Sequence, residues 1–169
     1  MAYFTNDIDV LNFALTLEHL ESAFYQMAVS SGKLHGNALS YFTIIGAHED
    51  AHVVGLTQAI SNAGGTPVKA RASYHFEVLG DLTTQDGLLK IASMLEPIGV
   101  GAYDGAAPEI QNKDYLAAAG SIVQVEARHA AIVRAVIAPN ANPVPDAFAP
   151  AMTPQQVLAA VTPVLGPEQ

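Results

Sequence analysis

Two copies of the motif Glu-x-x-His, at residues 49–52 and 126–129, constrain the fold of this chain more than any other feature of its sequence. A lone glutamate stands about thirty residues before each copy: Glu18 before the first and Glu96 before the second. In both halves a tyrosine follows the lone glutamate by seven positions. The sequence therefore indicates a unit that is used twice, in which a helix with one glutamate precedes a helix with Glu-x-x-His.

Helical geometry gives this spacing a physical reason. Residues i and i+3 of an α-helix lie on one face, so the glutamate and the histidine of each motif point to the same place. A residue at i+7 returns to nearly the same face about 10 Å further along the axis, and helical side chains lean back toward the N-terminus. A lone glutamate on each of two helices, with Glu-x-x-His on two others, is the pattern of dimetal carboxylate sites in four-helix bundles.

The pattern predicts six metal ligands: Glu18, Glu49, His52, Glu96, Glu126 and His129. Carboxylate and imidazole ligands suit iron and manganese, and zinc would be an artificial substitute because it binds such ligands more tightly. We therefore expect two metal ions, with iron favoured and manganese as the alternative. The competing interpretation is a polar layer inside the bundle or two solvated helix faces, and it must explain why four of the eight glutamates lie here.

Two tyrosines and two further glutamates are ambiguous. Tyr25 and Tyr103 are candidate catalytic residues, as hydrogen-bond donors or one-electron donors, but we favour the simpler interpretation that both pack in the core with satisfied hydroxyls. Glu21, one turn after the first lone glutamate, is either an extra ligand or, as we favour, an acid beside the ligands or facing solvent. Glu109 would replace Glu96 only if the third helix ended early.

Four histidines lie outside the two motifs. His19 and His48 each adjoin a candidate ligand in the sequence, so they point about 100° away from it. We expect them to contact the ligands from outside or to form polar contacts between helices. His35 and His75 fall in predicted loops, and we expect both on the surface.

Composition excludes several classes of function. The chain has 169 residues and a net charge of −9, and its 7 basic residues form no cluster, which argues against nucleic-acid binding. The absence of cysteine excludes disulfide bonds and thiolate metal sites. No run of about 18 apolar residues exists, so no membrane span is expected. Because the N-terminus lacks the basic stretch of a signal peptide, we expect a cytoplasmic protein, or an exported one if a leader was removed before residue 1.

Apolar periodicity and capping residues predict an all-α fold. We expect a four-helix bundle over residues 1–138 and a Pro-rich tail over 139–169, whose short helix from Gln155 to Val161 packs on the bundle. Residues 64–83 form a connection long enough to cross the bundle between helices two and three. The predicted bundle helices begin near Asn6, at Asn37, after Thr84 and near Asn112, and end at Ser31, Ala63, about Ala106 and Pro139.

Helix three is the least regular of the four. Pro97 removes one backbone hydrogen bond, which favours a kink directly after Glu96. The glycines that follow it lower helix propensity but permit close backbone approach. We expect one kinked helix to about Ala106, and the alternative is two shorter helices with a turn at 97–101.

Four segments carry a resemblance to a known family: LNFALTLEHLESAFY, AHEDAHV, LEPIGVGAYDGAAPEI and AAAGSIVQVEARHAAIVR. They resemble the ferritin-like superfamily and, more narrowly, the ferritin-like domain family that includes plant desiccation-related proteins. The resemblance covers nearly the whole chain and implies antiparallel helix pairs joined by a crossover. It also implies that Glu49 and Glu126 bridge both metals and that Glu18 and Glu96 bind one metal each. Without cysteine, the chain lacks the rubredoxin module of rubrerythrin-type electron transfer.

These features leave several functions open. The first is a redox metalloprotein of ferroxidase or peroxidase type, which oxidises Fe(II) or reduces O2 or peroxide in stress protection. The second is a non-catalytic stress-protection protein whose metal is structural. A manganese catalase-like reaction and iron storage in a shell of many subunits are further alternatives. The sequence does not decide whether the chain is an enzyme, or whether it is a monomer or a homodimer.

Overall fold

Five α-helices make up the fold in the computed structural model, which describes residues 3–166. The helices are α1 (Asp7–Ser30), α2 (Gly36–Asn62), α3 (Gln85–Ala106), α4 (Lys113–Ile137) and α5 (Pro154–Leu165), with 3₁₀ turns at Phe76–Val78 and Ala107–Glu109. Within that range there is no β-strand, and no helix is both long and apolar enough to traverse a bilayer. The predicted all-α class is confirmed.

Polar caps begin most of the helices where the sequence predicts. The side chains of Asn6, Thr84 and Asn112 accept hydrogen bonds from backbone N–H groups in the first turns of α1, α3 and α4. These bonds satisfy donors that have no partner within the helix. The N-cap of α2 is His35 rather than the predicted Asn37, and the backbone of His35 makes a tertiary contact that sequence spacing does not reveal.

That contact also defines the topology of the bundle. The backbone N–H of His35 donates to Gln85 Oε1 at 2.9 Å, so α2 and α3 begin at the same end. Because α1 packs along α2 and α3 along α4, the connection over residues 63–84 runs the length of the bundle. Asn12 of α1 holds this crossover by accepting a 2.8 Å hydrogen bond from the backbone N–H of Val68. The predicted crossover is confirmed.

α3 is one continuous helix through Pro97, so the alternative of two shorter helices is wrong. Two of its glycines, Gly101 and Gly105, lie against the tail. The backbone N–H of Met152 donates to Gly101 O at 2.8 Å, and a Cβ on Gly105 would lie only 1.9 Å from Met152 O. The tail backbone therefore lies directly on α3, where any larger side chain would collide with it.

α5 extends further than the sequence predicts. Thr153 and Gln156 form a capping box at its start. The helix ends at Leu165 rather than at Val161, because Val164 and Leu165 are buried in the main core cluster and tertiary packing carries the helix onward. α5 packs mainly on α3.

Candidate metal centre

The six predicted ligands meet in the middle of the bundle, between two apolar layers. Leucine and isoleucine side chains of α1 and α2 form one layer, and the other contains packed phenylalanine rings. The four glutamates of the cluster are each 0 % exposed, and the histidines are 11 % and 4 % exposed at their side chains. Carboxylates in such surroundings require compensating charge or hydrogen bonds.

The histidine of the first motif faces carboxylates from three helices. His52 Nδ1 lies 3.1 Å from Glu18 Oε2, 3.1 Å from Glu49 Oε2 and 3.0 Å from Glu126 Oε1. The donor atoms of these four residues all lie within 4.8 Å of one another. They are therefore close enough for one metal ion to bind all four side chains.

The second motif builds a matching group beside the first. His129 Nδ1 lies 2.9 Å from Glu49 Oε1, 3.5 Å from Glu96 Oε2 and 3.7 Å from Glu126 Oε2. Glu49 and Glu126 belong to both groups, whereas the two lone glutamates belong to one group each. This is the arrangement expected of two bridging and two terminal carboxylates.

Several buried polar atoms of the cluster make no hydrogen bond of acceptable geometry, although some of them lie close to one another. They are Oε1 of Glu49, Oε2 of Glu96, both carboxylate oxygens of Glu126 and Nδ1 of His129. An imidazole nitrogen carries at most one hydrogen, so a single Nδ1 does not satisfy three carboxylates at once. An unpartnered buried polar group costs about 1–3 kcal/mol, and a cation in each group would supply the missing partner. The residues present therefore fit a pair of metal ions.

Without cations, protons compensate the buried charge. Burial alone lowers the pKa of His52, but its contacts with three carboxylates outweigh burial and raise that pKa to about 12. The same balance raises the pKa of His129 to about 11. Burial raises the pKa of Glu96 to about 8 and the pKa of Glu18 well above its usual range. For Glu49, the close contacts with both histidines outweigh burial and lower the pKa to about 2.

Each tyrosine of the repeated unit donates a hydrogen bond to the lone glutamate of the other half of the chain. The Tyr25 hydroxyl donates to Glu96 Oε1, and the Tyr103 hydroxyl donates to Glu18 Oε1. Burial, and then the charge of the bonded glutamate, raises the pKa of both hydroxyls well above 10. Both tyrosines thus pack in the core with satisfied hydroxyls, and the groups that satisfy them are candidate ligands.

His48 contacts the ring nitrogen of His129 that does not face the glutamates. Its Nδ1 lies 2.9 Å from His129 Nε2, and the two rings stack with centroids 5.2 Å apart. A partner on the outer nitrogen fixes the orientation of an imidazole whose other nitrogen faces a metal site. The equivalent position in the second motif is Val125, so the two halves of the cluster differ in this support.

Glu21 occupies the first of the two places expected for an acid outside the ligand set, beside the ligands rather than in solvent. It is 3 % exposed and therefore does not face solvent. Burial, and then the charges of Glu126 and Glu96, raises its pKa well above the usual range. The sequence places Glu21 on the same helical face as Glu18, but it does not show that this face is closed to water.

The remaining candidates lie away from the centre. His19 Nε2 lies 3.2 Å from a backbone oxygen of the crossover and forms a polar contact there. His35 and His75 are exposed, as expected. Glu109 is exposed in the 3₁₀ turn after α3, so it does not take the place of Glu96.

A groove between α2 and α4 leads from solvent to both histidines of the cluster. It has a volume of about 450 Å³, and its lining includes His52 and His129. A larger depression of about 850 Å³, beside the start of α1 and the crossover, contains none of the six candidate ligands. A small molecule would therefore approach the cluster through the α2–α4 groove.

Comparison with protein families agrees with the geometry. A family model described as the ferritin-like domain matches residues 6–139, a span that includes all six candidate ligands. The chain belongs to the ferritin-like domain family. No curated protein matches the sequence significantly. The ferritin-like domain contains all four bundle helices, whereas α5 lies outside the matched residues.

The ferritin-like domain of this chain thus contains a Glu/His cluster whose donors suit metal ions. Two divalent ions carry four positive charges, which equal the negative charge of four ionised glutamates. A loaded cluster would be close to neutral, and this neutrality makes its burial tolerable. Carboxylate and imidazole donors suit iron and manganese, and they also bind zinc.

Proposed function

We propose that this ferritin-like domain protein is a dimetal carboxylate protein, with iron as its metal, that reduces O2 or peroxide while Fe(II) is oxidised. The observation that supports it most directly is the pair of overlapping groups that share Glu49 and Glu126 and contain five unpartnered polar atoms. A purely structural polar layer is expected to satisfy its own hydrogen bonds. Cations bound to these atoms would supply the partners that they lack.

The two groups assign the ligands of each ion. Glu18 and His52 would hold one ion, Glu96 and His129 the other, and the shared carboxylates would hold both. Two bound Fe(II) ions supply two electrons, which with two protons convert one molecule of hydrogen peroxide to two of water.

The tyrosines orient the terminal carboxylates of this site. Each hydroxyl donates to one oxygen of a lone glutamate and leaves the other oxygen for a metal ion. Because burial raises the pKa of both hydroxyls, Tyr25 and Tyr103 keep their protons and act here as hydrogen-bond donors. Their role is to position Glu96 and Glu18.

The access groove suits small neutral molecules. Tyr41 and Ile44 contribute apolar surface to its lining, and Arg128 is its one Lys, Arg, Asp or Glu residue in the described part of the chain. O2 and hydrogen peroxide are both small and uncharged. Because their consumption with Fe(II) removes the reactants of oxidative damage, the proposed role is protection against oxidative stress.

Single-turnover oxidation tests this proposal. Metal-free protein is loaded anaerobically with two equivalents of Fe(II) and mixed with hydrogen peroxide or aerated buffer, and near-ultraviolet absorbance is recorded. We expect faster oxidation than for the same Fe(II) in buffer. Glu49→Ala and Glu126→Ala should abolish stoichiometric metal uptake, whereas Glu109→Ala, at an exposed glutamate, should behave like wild type.

The outcomes separate a redox role from a structural one. Oxidation no faster than in buffer alone would overturn the redox proposal. If metal raised the melting temperature under those conditions without accelerating oxidation, the metal would be structural. Failure of wild-type protein to bind any divalent ion would overturn the dimetal site itself.

A further inference from the structure

Glu21 is a buried carboxylic acid that the six-residue cluster does not use. It is 3 % exposed, and in the described part of the chain no hydrogen bond or ion pair joins its carboxylate to another group. The groups that act on it electrostatically are carboxylates of the cluster, which are like charges. A buried acid without a hydrogen-bond partner costs stability, and a cation bound beside the ionised carboxylate would offset that cost.

The repeated unit shows how the fold makes room for this acid. Glu21 and Gly99 occupy equivalent positions, since each comes three residues after the lone glutamate of its half. A Cβ on Gly99 would lie 3.2 Å from Glu21 Oε1 and 3.6 Å from Glu126 Oε2. The Glu21 carboxylate therefore occupies the space that a second side chain would take, next to a shared ligand of the cluster.

Glu21 approaches the cluster from the side opposite the histidines. α1 packs on α2 and on α3, and α4 packs on α3 and on α2, so α1 and α3 form one side of the bundle and α2 and α4 the other. Glu21 and Gly99 belong to α1 and α3, whereas both histidines belong to α2 and α4. Each ion would receive one imidazole and three carboxylates from the six ligands. An ion that takes six ligands would still have positions to fill.

We propose that Glu21 is a fifth carboxylate ligand of the centre, which binds when the two ions together carry more than four positive charges. This inference rests on the proposed dimetal site and adds a preference for charge. Four carboxylates neutralise two divalent ions, but a trivalent ion leaves one positive charge uncompensated. Ionised Glu21 supplies the missing negative charge, and its proton passes to solvent.

Redox-inactive ions test this preference without any measurement of activity. Zn(II), and Ga(III) supplied as its nitrilotriacetate complex, are titrated into metal-free wild-type protein and into Glu21→Gln. We expect Glu21→Gln to bind Zn(II) with the wild-type stoichiometry and within about twofold of the wild-type affinity, and to bind Ga(III) about 10–100-fold more weakly. Glu109→Gln, at an exposed position, should bind both ions like wild type.

A second variant keeps the test independent of the charge of residue 21. Gly99→Ala retains Glu21 but places a methyl group 3.2 Å from its carboxylate, and it should also weaken Ga(III) more than Zn(II). Circular dichroism melts of each variant establish that it is folded.

The possible results have distinct meanings. Equal weakening of both ions by Glu21→Gln would overturn the charge preference, and unchanged Ga(III) binding would overturn the role as a ligand. If wild-type protein bound neither ion, the dimetal site would fail and the inference with it. If wild-type protein bound Zn(II) and Ga(III) and Glu21→Gln matched it for both, only the inference about Glu21 would fail.

Discussion

The Tyr25 hydroxyl, on α1, donates a hydrogen bond to Glu96 on α3, the lone glutamate of the other half of the chain. Tyr103 on α3 donates the equivalent hydrogen bond to Glu18 on α1. The two tyrosines therefore tie the halves together through candidate ligands rather than through apolar contacts alone. Loss of either hydroxyl should affect both the stability of the bundle and the position of a carboxylate.

Tyr25→Phe should lower the free energy of unfolding of the metal-free protein by about 1–3 kcal/mol, because it leaves Glu96 Oε1 buried without a donor. Tyr103→Phe should act similarly through Glu18. Urea denaturation at neutral pH measures both. Tyr41→Phe, at an exposed tyrosine of α2, is the matched control and should change stability by less than about 0.5 kcal/mol. Equal stability of Tyr25→Phe and wild type would contradict a stabilising role for this bond.

Shared and terminal glutamates should differ in the number of ions that depend on them. Glu18→Ala removes a ligand from one group, so this variant should retain about one ion per chain. Glu49→Ala removes a ligand from both groups and should retain neither. Elemental analysis after gel filtration with Mn(II) or Zn(II) measures these ratios. Equal metal loss in the two variants would contradict the division into shared and terminal ligands.

The metal-free protein should become less stable as pH rises from about 5 to 9. Folded Glu96 has a pKa of about 8, against 4.5 for an ordinary glutamate. The pKa values of His52 and His129 are about 12 and about 11, against an ordinary 6.5. The folded state thus binds more protons than the unfolded state in this interval. The contribution of the histidines is complete below pH 6.5 and is lost as pH rises toward their folded pKa values.

Urea denaturation of metal-free protein at several pH values measures this trend, which should be on the order of 1 kcal/mol per pH unit for each retained proton. Metal binding should show the opposite dependence, because bound ions displace those protons. Affinity for Zn(II) should rise about tenfold per pH unit for each proton displaced. A metal-free protein with constant stability between pH 5 and 9 would contradict the assignment of protons to the cluster.

His48→Ala should weaken the binding of one ion, about 10–100-fold, because His129 loses the group that fixes its ring. The ion held by His52 should bind nearly as in wild type. A competition titration with a metal-sensitive dye should therefore show one weakened step and one unchanged step. His19→Ala, at a histidine that contacts the crossover, is the control and should leave both steps unchanged. If both steps changed equally, the effect would not be specific to His129.

Substitution by alanine should lower the stability of the protein at one glycine and raise it at another. Gly105→Ala places a Cβ 1.9 Å from Met152 O, and displacement of the tail should cost about 1–3 kcal/mol of stability. Gly120→Ala lies within α4 with no atom near the added Cβ, so it should stabilise the protein by about 0.5–1 kcal/mol through helix propensity. Urea denaturation measures both, and limited proteolysis should cut the tail of Gly105→Ala faster than that of wild type.

Much of the fold was predictable because its determinants are local. Asn6, Thr84 and Asn112 cap helices through hydrogen bonds within one turn, and such bonds depend on sequence spacing alone. The start of α2 was not predicted, and the backbone of its N-cap His35 is bonded to a side chain fifty positions away, Gln85, which spacing does not reveal. The end of α5 was also missed, since the burial of Leu165 is a tertiary effect.

The same distinction applies to the cluster. Spacing of i and i+3 identified the two Glu-x-x-His pairs, because that spacing fixes a helical face. A lone glutamate one helix before each motif identified the other two side chains that the structure brings together. Spacing did not show what lies opposite a face. The burial of Glu21 depends on the missing side chain of Gly99, on another helix. Alignment of the two halves of the sequence pairs Glu21 with Gly99. This pairing was the one signal in the sequence that pointed to space for a buried Glu21.

The division of the cluster between the two halves bears on how such a chain arises. The group around His52 includes Glu126, and the group around His129 includes Glu49. Neither the α1–α2 pair nor the α3–α4 pair therefore contains all the ligands of either ion. A single hairpin, before any duplication and fusion, would have acquired a centre only by associating with a copy of itself. In a chain that arose by such a fusion, substitutions such as glycine opposite Glu21 would become available only afterwards, when the two copies were free to diverge.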